Sequence, residues 1–556
     1  MWGNVYATTL LWRPRRRFIP TIHLSIYPLD YDFIIIGSGF GGSVSAYRLA
    51  QKGYRVGVLE AGKRFRDEDF ARTSWNARKY LWLPRLGCYG IMRITPLSNL
   101  LILSGTGVGG GSLGYSCTLL EPPDPFYQDP QWAGMQDWKA ALAPHFATAK
   151  KMLGVTRCTC VTPADEVLQA VAEEQGRGDT FRMQDVGVYF GEPEKTVPDP
   201  FFDGQGPDRT GCELCGGCMV GCRNNAKNSL PKNYLYLAEK LGVEVYPLTT
   251  ARTIREVEGG YAVDTYRTAA WFRGGRRDFT ARQVVVAAGV QGTLSLLFRC
   301  QRLGTLPKLS PMLGRRVRTN SEAITAVTAR DYEVDYCRGV AITSSYYPDA
   351  VTHVEPVRYP RGSDVMSLLL TVFVSGGGRF LRPVKWLWTN LRHPITSLRV
   401  HWPFGWARKT IVLLVMQTLD NSLRLEFRRR WWWPFHRRLT TAREKKREFI
   451  PIEMPQAQQV TQRVAARTGG IPTNSLAEVV LNMGSTAHIL GGCAIGPDAE
   501  HGVIDRKNRV YGHEGIYVID GSMMPANLGV NPSLTITALA EHAMSLIPPQ
   551  GSADSG

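Results

Sequence analysis

The sequence predicts an α/β protein: a discontinuous Rossmann-like nucleotide-binding domain joined to a second domain with a mixed or antiparallel sheet and helices. Three observations carry that prediction. A β-branched run, YDFIII at 31–36, leads into a G-x-G-x-x-G turn. A second glycine-rich turn follows at 105–112. Far along the chain, VVVAAG from 284 reads as a further buried parallel strand and IYVID from 516 as a buried strand. With 556 residues, 44% hydrophobic and 21% charged, the chain has ample material for a large core, which excludes a peptide ligand, a disulfide miniprotein or a disordered chain.

Residues 1–30 read as a loose leader, because no apolar segment follows Arg15, Arg16 and Arg17 as an export signal requires. From the first strand the chain turns through Gly37, Gly39 and Gly42, with Phe40 and Gly41 between. Those glycines give a tight turn, close approach of backbone to a pyrophosphate, and close packing of helix on strand. A helix over 43–52 then points its first amides at the phosphates. The second strand, YRVGVLE, ends in Glu60, 23 residues after Gly37, where an acid accepts ribose hydroxyls and disfavours a 2′-phosphate. FAD and NAD remain. The second turn, with Gly105, Gly107, Gly109, Gly110, Gly111 and Ser112, favours FAD, since a buried flavin ring and ribityl chain need it and a nicotinamide does not.

The run from 284 ends at Gly289, where backbone again passes close to something flat. The run from 516 ends at Asp520 and Gly521. Asn531-Pro532 then opens a helix whose N-terminus would stabilise negative charge on a reduced flavin. Upstream, His488 precedes the pair Gly491-Gly492, which allows close packing on a cofactor. A neutral imidazole there takes the proton of an alcohol while the carbinol hydrogen leaves as hydride.

Four of the eleven cysteines stand at Cys212-x2-Cys215-x2-Cys218-x3-Cys222, the spacing of a bacterial ferredoxin run. Such spacing argues for metal over disulfide in a cytosolic protein, and three readings stay open: one iron–sulfur cluster, zinc, or a metal-free loop. The choice bears on the electron acceptor. A cluster would pass electrons singly to a partner, as in a dehydrogenase; without one, reduced flavin would meet O2.

The net charge of +18 is concentrated. Residues 379–447 hold seventeen Lys or Arg against Asp420, Glu426 and Glu444, and seven of the fourteen tryptophans. Tryptophan beside arginine suits contact with an anionic membrane surface, and a solvated insertion is the alternative. No reading element for nucleic acid is present, and none is expected as a partner. The longest apolar run, 365–374, is too short to span a bilayer. The expected location is therefore the cytoplasm, with peripheral contact at the inner membrane face.

These motifs, together with AHILGGC at 487–493 and GVNPSLTITALAE at 529–541, resemble the glucose-methanol-choline (GMC) oxidoreductases. FARTSWNARKYLWLPRLGCYGIMRI at 70–94 and THVEPVRY at 352–359 resemble the bacterial cholesterol oxidase branch of that family. The resemblance covers residues 31–547. It implies oxidation of an alcohol on FAD, with His488 as base, Asn531 orienting substrate and flavin edge, and Asp520 holding the ribityl chain or pyrophosphate. That branch also moves a sterol double bond, for which Glu355 and Asp364 are the candidate carboxylates.

The expected substrate is a 3β-hydroxysterol or another hydrophobic alcohol, with O2 as acceptor giving hydrogen peroxide. An acceptor-linked iron–sulfur dehydrogenase is the rival enzyme, and a non-catalytic flavoprotein that binds a membrane or an acidic partner is the rival of another class. The FAD domain is assigned to 31–117, 205–300 and 480–547. The substrate domain takes 118–204 and 301–479, where VMSLLLTVFV and TIVLLVMQTL read as long strands roofing the flavin, a flat apolar seat for a sterol. Residues 548–556 read as a disordered tail.

Overall fold

A computed structural model describes residues 29–270, 274–430, 433–444 and 450–552. Most of the leader, Trp431, Trp432 and the last four residues lie outside the described residues. Strand Tyr31–Ile36 sits at the centre of a seven-stranded sheet, hydrogen-bonded in parallel to Val56–Leu59 on one side and Arg277–Val286 on the other. Glu244–Tyr246 extends the parallel edge beyond Val56–Leu59. On its other edge the long strand Arg277–Val286 serves two more neighbours. Its first half pairs antiparallel with Gly260–Arg267, while Val284–Val286 pairs in parallel with Ile516–Val518. Phe33, Ile34 and Ile35 are fully buried, as expected of a strand covered on both faces.

The first helix runs Phe40–Gln51, three residues earlier than expected, because the glycine turn itself begins the helical geometry. A Cβ on Gly41 would lie 1.8 Å from the Ile519 carbonyl oxygen, so only glycine lets this helix start against the crossing chain. The C-terminal helix, Ser533–Ser545, begins just after Pro532 and packs on the first helix, where Arg48 Nε bonds Glu541 at 2.7 Å. Residues Pro548–Ser552 are ordered rather than loose. Tyr54 donates to the Pro548 carbonyl and Gln550 N–H to the Lys52 carbonyl, both at 2.9 Å.

The second sheet has five strands in the order Thr352–Val357, Thr410–Gln417, Ala323–Thr328, Ile471–Ser475, Leu370–Val372. Every pairing in it is antiparallel, which settles the choice between mixed and antiparallel. All eight residues of Thr410–Gln417 are buried. The other expected long strand shrinks to Leu370–Val372, preceded by a 3-10 turn over Asp364–Leu369. The reason is polar: the Asp364 carboxylate accepts the N–H groups of Gly405 and Ala407, and Ser367 donates back to the Asp364 carbonyl, so the chain coils before it can extend. One face of this sheet is covered by helices Pro163–Glu174 and Pro455–Thr468. The opposite face, with Val412, Leu414 and Met416, packs toward residues 70–92 and Leu113 of the second glycine turn.

Candidate active site

The two glycine turns meet backbone to backbone. A Cβ on Gly110 would stand 2.7 Å from the Gly39 Cα, and Gly110 holds a left-handed φ of 53° that glycine tolerates best. Ser38 links them: its Oγ accepts the Gly109 N–H at 3.0 Å and donates to Glu60 at 2.7 Å. The Glu60 carboxylate also accepts the N–H groups of Ser38 and Gly62. Glu60 therefore braces the turn from within the protein, an attachment that the strand-end position alone did not reveal. Burial raises its pKa against the opposing pull of these hydrogen bonds.

Asp520 plays the matching part across the sheet. Its carboxylate accepts Thr293 Oγ1 at 2.5 Å, and Ser522 N–H and Oγ at 2.8 and 2.6 Å, tying the Gly289 turn to the end of Ile516–Val518. Gly491 N–H donates to the Gly521 carbonyl at 2.9 Å, so the loop after His488 is stitched to the same point.

These parts fit a dinucleotide such as FAD. The helix Phe40–Gln51 has neither a side-chain cap nor an acid in its first turn, leaving its first amides for an anion. A Cβ on Gly39 or Gly289 would meet nothing within 4 Å, which marks open space along the turns. Gln291 Nε2, Asn531 Oδ1 and Thr535 Oγ1 are buried without a partner among the described residues, a pattern that a bound polar group resolves.

The reacting groups converge from distant parts of the chain. His488 Nδ1 is bonded to Glu322 Oε1, and Glu322 Oε2 accepts the Ala487 N–H at 2.6 Å. One carboxylate thus holds both the imidazole and the backbone just before it, leaving Nε2 for a substrate hydroxyl. Burial opposes charge on the imidazole, but the charge and hydrogen bond of Glu322, with Glu355 adding, hold its pKa above the ordinary value. Asn531 Nδ2 donates to Glu355 Oε2 at 3.2 Å, while Glu355 Oε1 has no partner among the described residues. Burial pushes the Glu355 carboxyl up to about 8, despite the hydrogen bond from Asn531.

Strand alternation places His353 on the same face as Glu355, stacked on Tyr347 at 4.6 Å. Neither ring nitrogen of His353 has a side-chain partner among the described residues, and burial drops its pKa to about 3 against the pull of the Gly529 backbone, so it stays neutral. Asp364 does not join this group, its oxygens being taken by the amides that open the short helix Trp406–Lys409.

Three contributors escaped the sequence reading. Glu322 has no motif of its own. Buried Asn320, at a left-handed φ of 59°, accepts the N–H groups of Leu528 and Gly529 and donates to the Val530 carbonyl, fixing the approach to Asn531. Arg318 exchanges backbone hydrogen bonds with Leu490 and reaches Asp129 at 3.3 Å and Asp420 at 2.5 Å. The only hint was the dense polar run RTNSE at 318–322, cut between apolar segments.

A chain of 50% identity decides the family. Over 542 residues, 94% of this chain and 92% of the other, it matches a protein named cholesterol oxidase from Mycobacterium tuberculosis. This chain belongs to the GMC oxidoreductases. The GMC oxidoreductase C-terminal model matches residues 422–540, and an NAD(P)-binding Rossmann-like domain model matches 35–66. A protein named cholesterol oxidase from Acinetobacter baumannii is 45% identical, covering 94% of this chain and 96% of that one. Pyridoxine 4-oxidase from Mesorbium loti superposes with a TM-score of 0.57 at 16% identity, covering 92% of this chain and 98% of that one, which shows a shared fold. As a GMC oxidoreductase the chain is an FAD-dependent oxidoreductase acting on CH–OH groups.

The cysteine run does not fit a metal centre. Cys212, Cys215, Cys218 and Cys222 line one cavity of about 20 Å³, room on the order of a single water molecule. Among the described residues no three His, Cys, Asp or Glu side chains are grouped to hold a metal ion. The loop has a structural attachment instead. Buried Lys227 donates to the carbonyls of Leu113, Tyr115 and Cys218 at 2.8–3.0 Å, clamping the cysteine loop to the second glycine turn.

Proposed function

We propose that this GMC oxidoreductase oxidises the 3β-hydroxyl of a sterol to the ketone, uses O2 as acceptor, and then moves the sterol double bond into conjugation. The observation that carries the reading is the meeting of Asn531 with Glu355 across 176 residues, on an apolar sheet face and beside His488. The two relatives named cholesterol oxidase support the choice of sterol and of O2. Bound FAD supplies a two-electron acceptor for the carbinol hydrogen, re-oxidised by O2 with release of hydrogen peroxide. Gly37–Gly42, Gly105–Ser112, Gly289 and Asp520 would hold it.

Within the chain, His488 Nε2 accepts the hydroxyl proton as the carbinol hydrogen departs, and Glu322 stabilises the imidazolium that results. Asn531, fixed from below by Asn320, orients the oxygen. Glu355 in its carboxylate form then takes the proton from the carbon between the new carbonyl and the double bond, and returns one to the far end of that double bond. Its unpartnered oxygen, and the absence of any cation bonded to it among the described residues, leave it free for the transfer.

The test is anaerobic addition of a 3β-hydroxysterol to purified flavoprotein, followed by absorbance. Bleaching of the flavin band near ~450 nm and appearance of a conjugated enone are expected. A flavin that stays oxidised would make this a non-catalytic flavoprotein. Bleaching by a long-chain primary alcohol alone would overturn the sterol.

A further inference from the structure

Half of the twenty exposed large apolar side chains among the described residues fall within residues 380–404. They belong chiefly to two consecutive helices, Gly378–Arg392 and Pro394–His401. The first is built inside out. Phe380, Leu381, Val384, Leu387, Trp388 and Leu391 recur at helical spacing and are 54–82% exposed. The face turned to the protein carries Arg382, only 3% exposed, paired with Glu453 and with Glu478 at 3.7 Å. Trp386 on that face donates to Thr371 at 2.7 Å, and Asn390 lies beside it. These polar anchors fix the rotation of the helix, so its apolar stripe is held outward by design of the contacts, not left there by loose packing. Ile395 and Leu398, each 68% exposed, continue the stripe. Trp402, Phe404 and Trp75 close it with a run of ring contacts at 5.6–5.8 Å.

The charge around this stripe has one sign. No acidic residue occurs between Asp364 and Asp420. Arg379, Lys385, Arg392 and Arg399 have no acidic partner among the described residues. A second copy of the chain would bring like charges together across the apolar contact. Anionic lipid does the reverse, accepting the cations at headgroup level while the stripe enters the acyl boundary and indoles sit at the interface.

We propose that helices Gly378–Arg392 and Pro394–His401 lie in the plane of an anionic bilayer and dock the enzyme on it. The first is about 22 Å long at 1.5 Å per residue, suited to lying on a membrane and too short to cross one. Among the described residues no helix is long and apolar enough to span. The docked face adjoins the chemistry: Arg382 holds Glu478 of the helix Leu476–Val479, from which the chain passes exposed Leu481 and strand Gly484–Thr486 to reach His488. The proposal does not rest on the sterol reading, and sterol-free vesicles keep the two separable.

The experiment is co-sedimentation of the full-length flavoprotein with sterol-free vesicles of phosphatidylglycerol and phosphatidylcholine, and separately of phosphatidylcholine alone, at low and raised salt. Pelleting on the anionic vesicles at least tenfold above the neutral ones, weakened by salt, is expected. The double substitution Leu387→Glu and Leu391→Glu should remove that pelleting while leaving flavin absorbance and turnover of a detergent-dispersed alcohol unchanged. Trp388→Ser alone serves if the double variant fails to fold. No pelleting, equal pelleting on neutral vesicles, or pelleting untouched by these substitutions would overturn the proposal. So would a dimer in solution that the same substitutions dissociate.

Discussion

Two buried glutamates stand at the two ends of the candidate site, and their surroundings differ. At the His488 end, Glu322 uses one oxygen on the imidazole and the other on the Ala487 amide. At the Asn531 end, Glu355 receives one hydrogen bond at 3.2 Å and keeps its other oxygen unpartnered. The residue type and burial are the same, and the chemistry is not. A carboxylate saturated by fixed donors orients and charges its neighbour, while one held in an apolar face with spare capacity exchanges protons.

Breaking the His488 end should have the largest effect. His488→Ala is expected to lower alcohol turnover on the order of a hundredfold or more while flavin absorbance persists, read by peroxide release on purified protein. Retained turnover would remove the histidine from the chemistry. Glu355→Gln should separate the two reactions. Oxidation of a saturated 3β-hydroxysterol continues, and formation of the conjugated enone from an unsaturated one falls by roughly a hundredfold.

The pH profile sharpens the contrast. His488 must be neutral to accept a proton, and its pKa lies above the ordinary 6.5, so turnover should rise with pH through a limb above that value. Glu322→Gln removes the charge that raises it, moving the limb toward acid and lowering the plateau. A purely structural glutamate would leave the limb in place. Isomerisation should instead rise with pH through about 8, where Glu355 loses its proton.

Stability should register Glu355 as well. Its folded pKa of about 8 lies above the unfolded value near 4.5, so the folded state binds the extra proton between those values and loses stability as pH rises across them. Glu355→Gln should therefore raise Tm more at pH 8.5 than at pH 4, by calorimetry, with a loss at alkaline pH arguing against the raised pKa. The smallest effect belongs to Asp364→Asn. It should leave both reactions intact and cost about 1 kcal/mol in denaturant unfolding, because it weakens a cap on Gly405 and Ala407.

The nucleotide-binding half was legible because its information is local. Strand, glycine turn and helix follow one another within 31–52, and steric rules for glycine and for phosphate approach act over a few residues. Glu355 and Asp364 were indistinguishable on that basis, since both are acids in the same stretch. Only the amides of Gly405 and Ala407, some forty residues on, take Asp364 out of contention. The cysteine spacing left three readings open for the same reason. A ligand spacing constrains which side chains can reach a common point, and here the loop closes on about 20 Å³ and on Lys227 instead.

The helices Pro455–Thr468 and Gly378–Arg392 show the limit from the other side. Both carry an apolar stripe at helical spacing, yet Val460 and Val464 are fully buried while Leu387 and Leu391 are more than half exposed. Periodicity shows that a helix has two faces and is silent on which one meets the protein. By itself the sequence determined the turns, the strand order near the phosphates, and the identity of His488 and Asn531 as residues to watch. Tertiary structure alone decided that Glu322 meets His488 across 166 residues, that Glu355 meets Asn531 across 176, and that one apolar stripe faces out. Such pairings depend on how crossing chains stack and on which buried polar groups find partners, and no spacing along the backbone encodes either.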